Sequence, residues 1–204
     1  MCNWGQRRGR GGVILAGLMR NSSHRSCTSA ELRELLGNDE GADKLRRSLD
    51  VAAASDLTLL LSGESGVGTS LIAEWIHHRS SRAHAPLATI DPSRMSPLAF
   101  ATDLAMLTPG GTLVIDDVAT LTPRGQDVLF RHLDCGWRPP MPEQLPARII
   151  VATRQNLYAE VLAGRFRHDL FYRLNLIHLE IVPGTVTSVC KSEQTLVVSG
   201  ITLG

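Results

Sequence analysis

The chain carries only two lysines in 204 residues, Lys44 and Lys191, and neither falls in its glycine-rich segment. Acids and bases nearly balance, 20 against 21, so the formal net charge is +1 and no bulk field steers the chain toward nucleic acid. Its four cysteines (Cys2, Cys27, Cys135 and Cys190) form no C-x-x-C pair. That argues against a zinc site or a disulfide framework and fits a reducing cytoplasm. The seven histidines show no metal-ligand spacing, and the neighbours His77 and His78 point in different directions on a helix. No apolar run approaches the ~20 residues that a membrane helix needs. What remains is a globular composition, 43% hydrophobic and 20% charged, at a length that suits one domain with tails.

Residues 1–27 stand apart: Arg7, Arg8, Arg10, Arg20 and Arg25 surround the apolar run "VILAGLM", with no acid among them. A basic start before an apolar run outlines a signal peptide, but this run is at the lower length limit and no small-residue cleavage site follows. The Arg/Ser-rich, acid-poor composition also matches a transit peptide. The expectation is a disordered basic arm or an overlong start.

From Thr28 the pattern turns helical, with Thr28 and Glu31 spaced as a capping box, and a second helix is expected over Asp43–Ala54. Strands are expected at Leu57–Ser62, Leu87–Ile90, Thr112–Ile115, Arg148–Ala152 and Leu176–Ile181. Helices are expected at Ser70–Arg79, Pro97–Leu107, Pro123–Leu133, Leu157–Ala163 and His168–Leu174. The strands are near-continuous apolar runs, as when both faces of a parallel sheet are covered. Their alternation with helices implies a doubly wound α/β domain over residues 28–182, with ligands at the carboxyl ends of the strands. After Pro183 no helix period continues. Residues 183–204 read as an irregular tail, or as one hairpin over "TLVVSGITLG".

The stretch "LLLSGESGVGTSL" runs from an apolar strand through a glycine-rich turn into a helix. Gly63 to Ser70 has the spacing of a phosphate-binding loop, G-x-x-x-x-G-K-[ST], in which glycines let backbone N–H groups cradle phosphate oxygens at a helix N-terminus. An ordinary strand-to-helix turn is the plain alternative. Gly63, Glu64, Ser65, Gly66, Val67, Gly68, Thr69 and Ser70 form the candidate cofactor-binding loop, and the Ser70 hydroxyl is placed for Mg²⁺. Thr69, however, occupies the lysine position. A charged hydrogen bond contributes about 1.5–3 kcal/mol, so nucleotide binding should weaken by roughly one to two orders of magnitude. Hydrolysis should lose more, because charge moves toward the γ-phosphate as the reaction proceeds.

The second signature is "GGTLVIDDV", an apolar strand that ends in two acids. Asp116 is placed to hold Mg²⁺ through water, and Asp117 to polarise an attacking water. A turn or a helix cap is the competing reading of such a pair.

Together with "GRFRHDLFYRLN" (Gly164 to Asn175), these segments resemble the AAA+ module of bacterial enhancer-binding proteins, the activators of sigma-54 RNA polymerase, over roughly Leu36 to Ile181. The resemblance implies a P-loop NTPase domain of AAA+ type that binds ATP and Mg²⁺, forms hexameric rings and regulates transcription. It also implies two arginines, Arg167 and Arg173, that reach the neighbouring subunit's nucleotide.

The departures are specific. Thr69 replaces the lysine, and Asp117 stands where the family usually has Glu, so its carboxylate falls roughly 1 Å short of the water. Arg154 follows the Thr of "IIVATRQNL" where the family has Asn; it counts with Asp116 among the cofactor-binding candidates. The segment "DPSRMSPLAFATDLAMLTP" is too short for the family's sigma-54-contacting loop. A Ser/Thr/Val tail stands where the family has its helical lid, and no receiver or helix-turn-helix segment is visible. Three readings follow: a weakened ATPase, a non-catalytic subunit that modulates an intact AAA+ partner (self or paralogue), or a gene remnant. Contact with sigma-54 is not expected, nor with a membrane.

Overall fold

The computed structural model describes residues 40–64, 66–106, 110–136, 146–182, 185–192 and 195–196. The basic arm, the helix expected from Thr28, Ser65 and most of the "TLVVSGITLG" stretch lie outside them.

The element order is α1 (Glu40–Ala54), β1 (Leu59–Gly63), α2 (Thr69–Arg79), β2 (Leu87–Ile90), α3 (Pro97–Met106), β3 (Thr112–Ile115), α4 (Pro123–Gly136), β4 (Arg148–Thr153), α5 (Leu157–Leu162), α6 (His168–Leu174), β5 (Ile177–Val182), β6 (Thr185–Ser192) and β7 (Thr195–Leu196). Short 3-10 turns at Pro92–Arg94 and Val118–Thr120 follow β2 and β3. The strands lie in the order β2-β3-β4-β1-β5-β6-β7. The first five are parallel, as their burial on both faces demands.

Side-chain alternation along β1 divides the core in two. Leu59 and Leu61 join Ile150, Ala152, Leu179 and Ile181 beneath Leu45 and Leu49 of α1 and Ile72 and Ile76 of α2. Leu60, Ile115 and Val151 face the opposite side, under Phe100 of α3, Leu129 of α4, and Leu170 and Leu174 of α6. A chain alternating β and α in right-handed crossovers covers both faces in this way.

Expected element boundaries hold to within about a turn. Leu57, expected in β1, is left out because its N–H donates to the Ser55 hydroxyl in the turn after α1. The stretch read as an irregular tail contains β6, antiparallel to β5 with Val182 opposite Thr185, and β7 antiparallel to β6. Lys191 is thus a strand residue. The β5–β6 register sets Cys190 opposite Ile177, the first residue of β5, so Lys191 lies at the amino-terminal edge of the sheet, far from the phosphate loop.

That amino-terminal edge is held by buried polar side chains. The Arg82 guanidinium donates to both oxygens of Asp56 and to the carbonyls of Gly110 and Pro146. Arg148, 1% exposed, donates to the Ala52 carbonyl, and burial pulls its pKa down to about 10. His77 Nδ1 lies 2.9 Å from the Thr112 hydroxyl, and burial lowers the imidazole to about 4, so it stays neutral.

Candidate nucleotide-phosphate site

At the other edge of the sheet, β1 delivers the chain directly into the loop. A Cβ at Gly63 would lie 2.7 Å from the Ile181 carbonyl oxygen and 2.7 Å from Val67 Cγ1, so β5 and the loop itself close around this position. Gly66 and Gly68 have φ of 86° and 88°, the left-handed region that glycine enters without strain. Gly68 is the N-cap of α2, and no side chain bonds to that cap. The first-turn N–H groups of α2 therefore have no intrahelical acceptor, and a phosphate oxygen suits them. Thr69 is the first helical residue and is partly buried; the next residue, Ser70, is exposed.

The acids sit one strand beyond the neighbour. The Asp116 N–H donates to the Ile90 carbonyl, which prolongs the β2–β3 ladder by one residue and anchors the acid at the strand end. Burial raises the Asp116 pKa, Asp91 and Asp117 push the same way, and Arg154 opposes them. Asp117 is the one non-glycine residue with positive φ among those described, at 52°. One of its carboxylate oxygens is buried without a hydrogen-bond partner; the other lies 3.5 Å from Arg154 Nη2. A strained backbone and an unsatisfied oxygen on one acid are features that accumulate at working sites.

Arg154 follows the last residue of β4. Ser62 pairs with Thr153 and Ile115 with Val151, so continuing each register sets Arg154 level with Gly63 and Asp117 level with Thr153. The turn that presents Arg154 is local, with the Gln155 N–H donating to the Thr153 hydroxyl. Arg154, Gly63 and Glu64 line a cleft of about 670 Å³ that continues under Tyr158 and Tyr172 to His178. On its wall Ser62 Oγ and His178 Nε2 are 2.6 Å apart, and burial lowers the imidazole pKa. Sequence reasoning missed this pair. The signal was polar residues on the same face of two largely apolar strands, Ser62 on β1 and His178 with Glu180 on β5.

The structure brings the loop, Asp116, Asp117 and Arg154 to one edge of the sheet. Arg167 and Arg173 are elsewhere, and neither lines the cleft. Both guanidinium groups stack on Phe130 of α4, 4.9 and 5.3 Å from its centroid. Arg167 pairs with Asp127 and Asp169, and Arg173 with Asp134. Buried Gln126 sets the approach to α6: its amide nitrogen donates to the Leu121 and Arg165 carbonyls, and its oxygen accepts from the Arg167 N–H. Asp127, Phe130 and Asp134 share one face of α4 at i, i+3 and i+7, a spacing legible in the sequence but not exploited there.

A sheet whose five parallel strands run β2-β3-β4-β1-β5, with a glycine-rich loop after β1 and acids two strands away after β3, defines a P-loop NTPase domain of AAA+ type. The chain belongs to the sigma-54 interaction domain family, whose model matches residues 36–183. It is 34% identical over 170 residues to the transcriptional regulatory protein XylR of Pseudomonas putida, covering 72% of this chain and 30% of the relative. It is also similar to the crystal structure of NtrX from Brucella abortus in complex with ATP, at 29% identity and a TM-score of 0.63, over 73% of this chain and 38% of that one. The P-loop NTPase domain of an Escherichia coli sigma-54 activator shares the fold at 21% identity and a TM-score of 0.57, over 73% of this chain and 99% of that one. The chain thus spans about a third of the length of the curated relatives it matches.

Proposed function

We propose that this domain binds ATP with Mg²⁺ weakly, hydrolyses it poorly or not at all, and serves transcription regulation through contacts with other AAA+ subunits. One observation carries the reading. The backbone cradle at Gly66 and Gly68 and the uncapped start of α2 are intact, while the lysine position holds the neutral Thr69. A cradle made of N–H groups keeps its affinity for phosphate oxygens when a side-chain cation is lost. The exposed Ser70 hydroxyl and the Asp116 carboxylate are the groups that would hold Mg²⁺ alongside the nucleotide. When bound, the ion neutralises charge on the phosphates. Asp117 is the candidate to polarise water, and it is poorly suited: its carboxylate already faces Arg154 and its side chain is short.

The partner reading rests on α6. Arg167 and Arg173 are held side by side over Phe130 at the protein surface, ready to meet a neighbouring subunit, either a second copy or an intact paralogue. Between β2 and β3 the described chain is taken up by the 3-10 turn and α3, which leaves no long projecting loop there for sigma-54. Among the described residues no helix is long and apolar enough to cross a membrane. Membership of a family of transcription regulators supports work in the cytoplasm.

Calorimetry with ATP and Mg²⁺ tests the first part. Binding that is Mg²⁺-dependent and weaker than micromolar supports it, and no binding at millimolar nucleotide refutes it. Thr69→Lys should tighten binding roughly ten- to a hundredfold without restoring turnover. A full ATPase rate from that single change would refute the poor-hydrolysis reading. For the partner role, the chain should alter the ATPase rate of an intact activator, and Arg167→Ala with Arg173→Ala should weaken that effect. A pull-down that recovers sigma-54 but not the activator would overturn it.

A further inference from the structure

The sheet order β3-β4-β1 sets three loops side by side: the acids after β3, Arg154 after β4 and the phosphate loop after β1. Arg154 lies in the middle position, level with Gly63 and lining the same cleft as Gly63 and Glu64. A phosphate chain that rested in the cradle with its metal near Asp116 would run between the loop after β1 and the acids after β3, the gap in which β4 ends at Arg154. No cation comes from the loop itself, because Thr69 is neutral and Lys191 is at the far edge of the sheet.

The partner that Arg154 already has is a weak one. The ion pair with Asp117 spans 3.5 Å, longer than a normal hydrogen bond, and the arginine side chain is 54% exposed. The other Asp117 oxygen remains buried and unpartnered. A phosphate oxygen offers a guanidinium more charge and a bidentate geometry that this carboxylate does not meet. We infer that Arg154 is the substitute cation of this site, paired with Asp117 when no nucleotide is bound and transferred to the terminal phosphate when a nucleoside triphosphate enters. Asp117 then acts as the counter-ion that the phosphate displaces. The inference rests on nucleotide binding at the phosphate loop, and it adds a preference for triphosphate over diphosphate.

The test is calorimetry of the full chain with Mg²⁺ and either ADP or the non-hydrolysable triphosphate β,γ-imido-ATP. The proteins are the wild type, Arg154→Ala, Arg154→Lys, Asp117→Asn and the Asp117→Asn/Arg154→Ala double variant. Loss of one charged contact at a half-exposed site predicts about tenfold weaker triphosphate binding for Arg154→Ala, and less than twofold change for ADP. Arg154→Lys should recover part of the loss. Asp117→Asn should tighten triphosphate binding about threefold, and that gain should vanish in the double variant. A gain that persists without Arg154 means simple repulsion between Asp117 and phosphate, and it overturns the pairing. Equal losses for both nucleotides overturn the assignment to the terminal phosphate. If the wild type binds and Arg154→Ala binds equally well, the inference fails while the phosphate-loop reading stands. If the wild type binds neither nucleotide, both fail. Arg154 is on an exposed turn, and matched melting curves show whether each variant is folded; Arg154→Gln replaces any that is not.

Discussion

The two candidate regions differ in what they present: the glycine-rich loop offers main chain, with Gly66 and Gly68 in the left-handed region, whereas Arg167 and α6 offer two guanidinium groups stacked on Phe130 beside a row of acids. The first region is set by the path of the main chain from β1 into α2. On the proposed reading it tolerates a change such as Thr69, because the main-chain path does not depend on that side chain. The second is assembled from side chains of two helices and a connecting segment, so each contact there is a separate point of failure.

The largest expected effect tests whether the α6 region depends on its clamp. Gln126→Ala removes the three hydrogen bonds of a buried side chain and strands their carbonyl and N–H partners, at a cost of about 3 kcal/mol. For a domain of this size, thermal melting should fall by roughly 6–12 °C. A shift below 2 °C would mean that the connection from α5 to α6 is held by its apolar contacts alone.

Next comes the loop's one point of tight packing. Gly63→Ala would press a methyl group against the Ile181 carbonyl and Val67 Cγ1, which predicts a loss of about 2 kcal/mol. Melting followed with and without nucleotide should show both the lower stability and the loss of any nucleotide-induced shift. An unchanged midpoint would show that β5 yields at little cost. Gly66→Ala sharpens the contrast, because open space surrounds that position and only its φ of 86° opposes a side chain. About 1 kcal/mol is expected, through backbone strain alone. A loss equal to that of Gly63→Ala would mean that strain, not packing, governs the whole loop.

The smallest effect belongs to the surface. Asp134→Ala breaks an exposed pair with Arg173 that contributes about 0.5 kcal/mol or less, within a degree or two of melting temperature. A larger loss would make the stack on Phe130 a stabilising cluster and not a surface held ready for a partner.

Much of this was readable in the chain. The parallel strands appear at or near their expected places, because strands buried on both faces are continuous apolar runs such as "TLVI" and "RIIVAT". β6 was not, because "TVTSVCKS" mixes Thr and Ser with Val and offers no apolar run. Its β-branched residues suit a strand only once β5 presents an open edge to pair with. Of the candidate site, the loop and the acids were legible as motifs, whereas the Asp117–Arg154 pair and the Ser62–His178 pair join residues far apart in sequence.

By itself the sequence determined what depends on neighbours along the chain. This covers the strand-loop-helix unit at Gly63–Ser70, its missing lysine, the two acids that follow β3, and the helix that begins after Arg167 and carries Arg173. Only the tertiary structure decided which of these meet. Strand order interposes β4 between the acids and the loop and so delivers Arg154 to the charge-depleted site, while packing of α6 on α4 turns Arg167 and Arg173 onto Phe130. Local geometry follows from φ, ψ and spacing, but the adjacency of strands is chosen by burying both faces of one sheet at once, and no short stretch of sequence contains that choice.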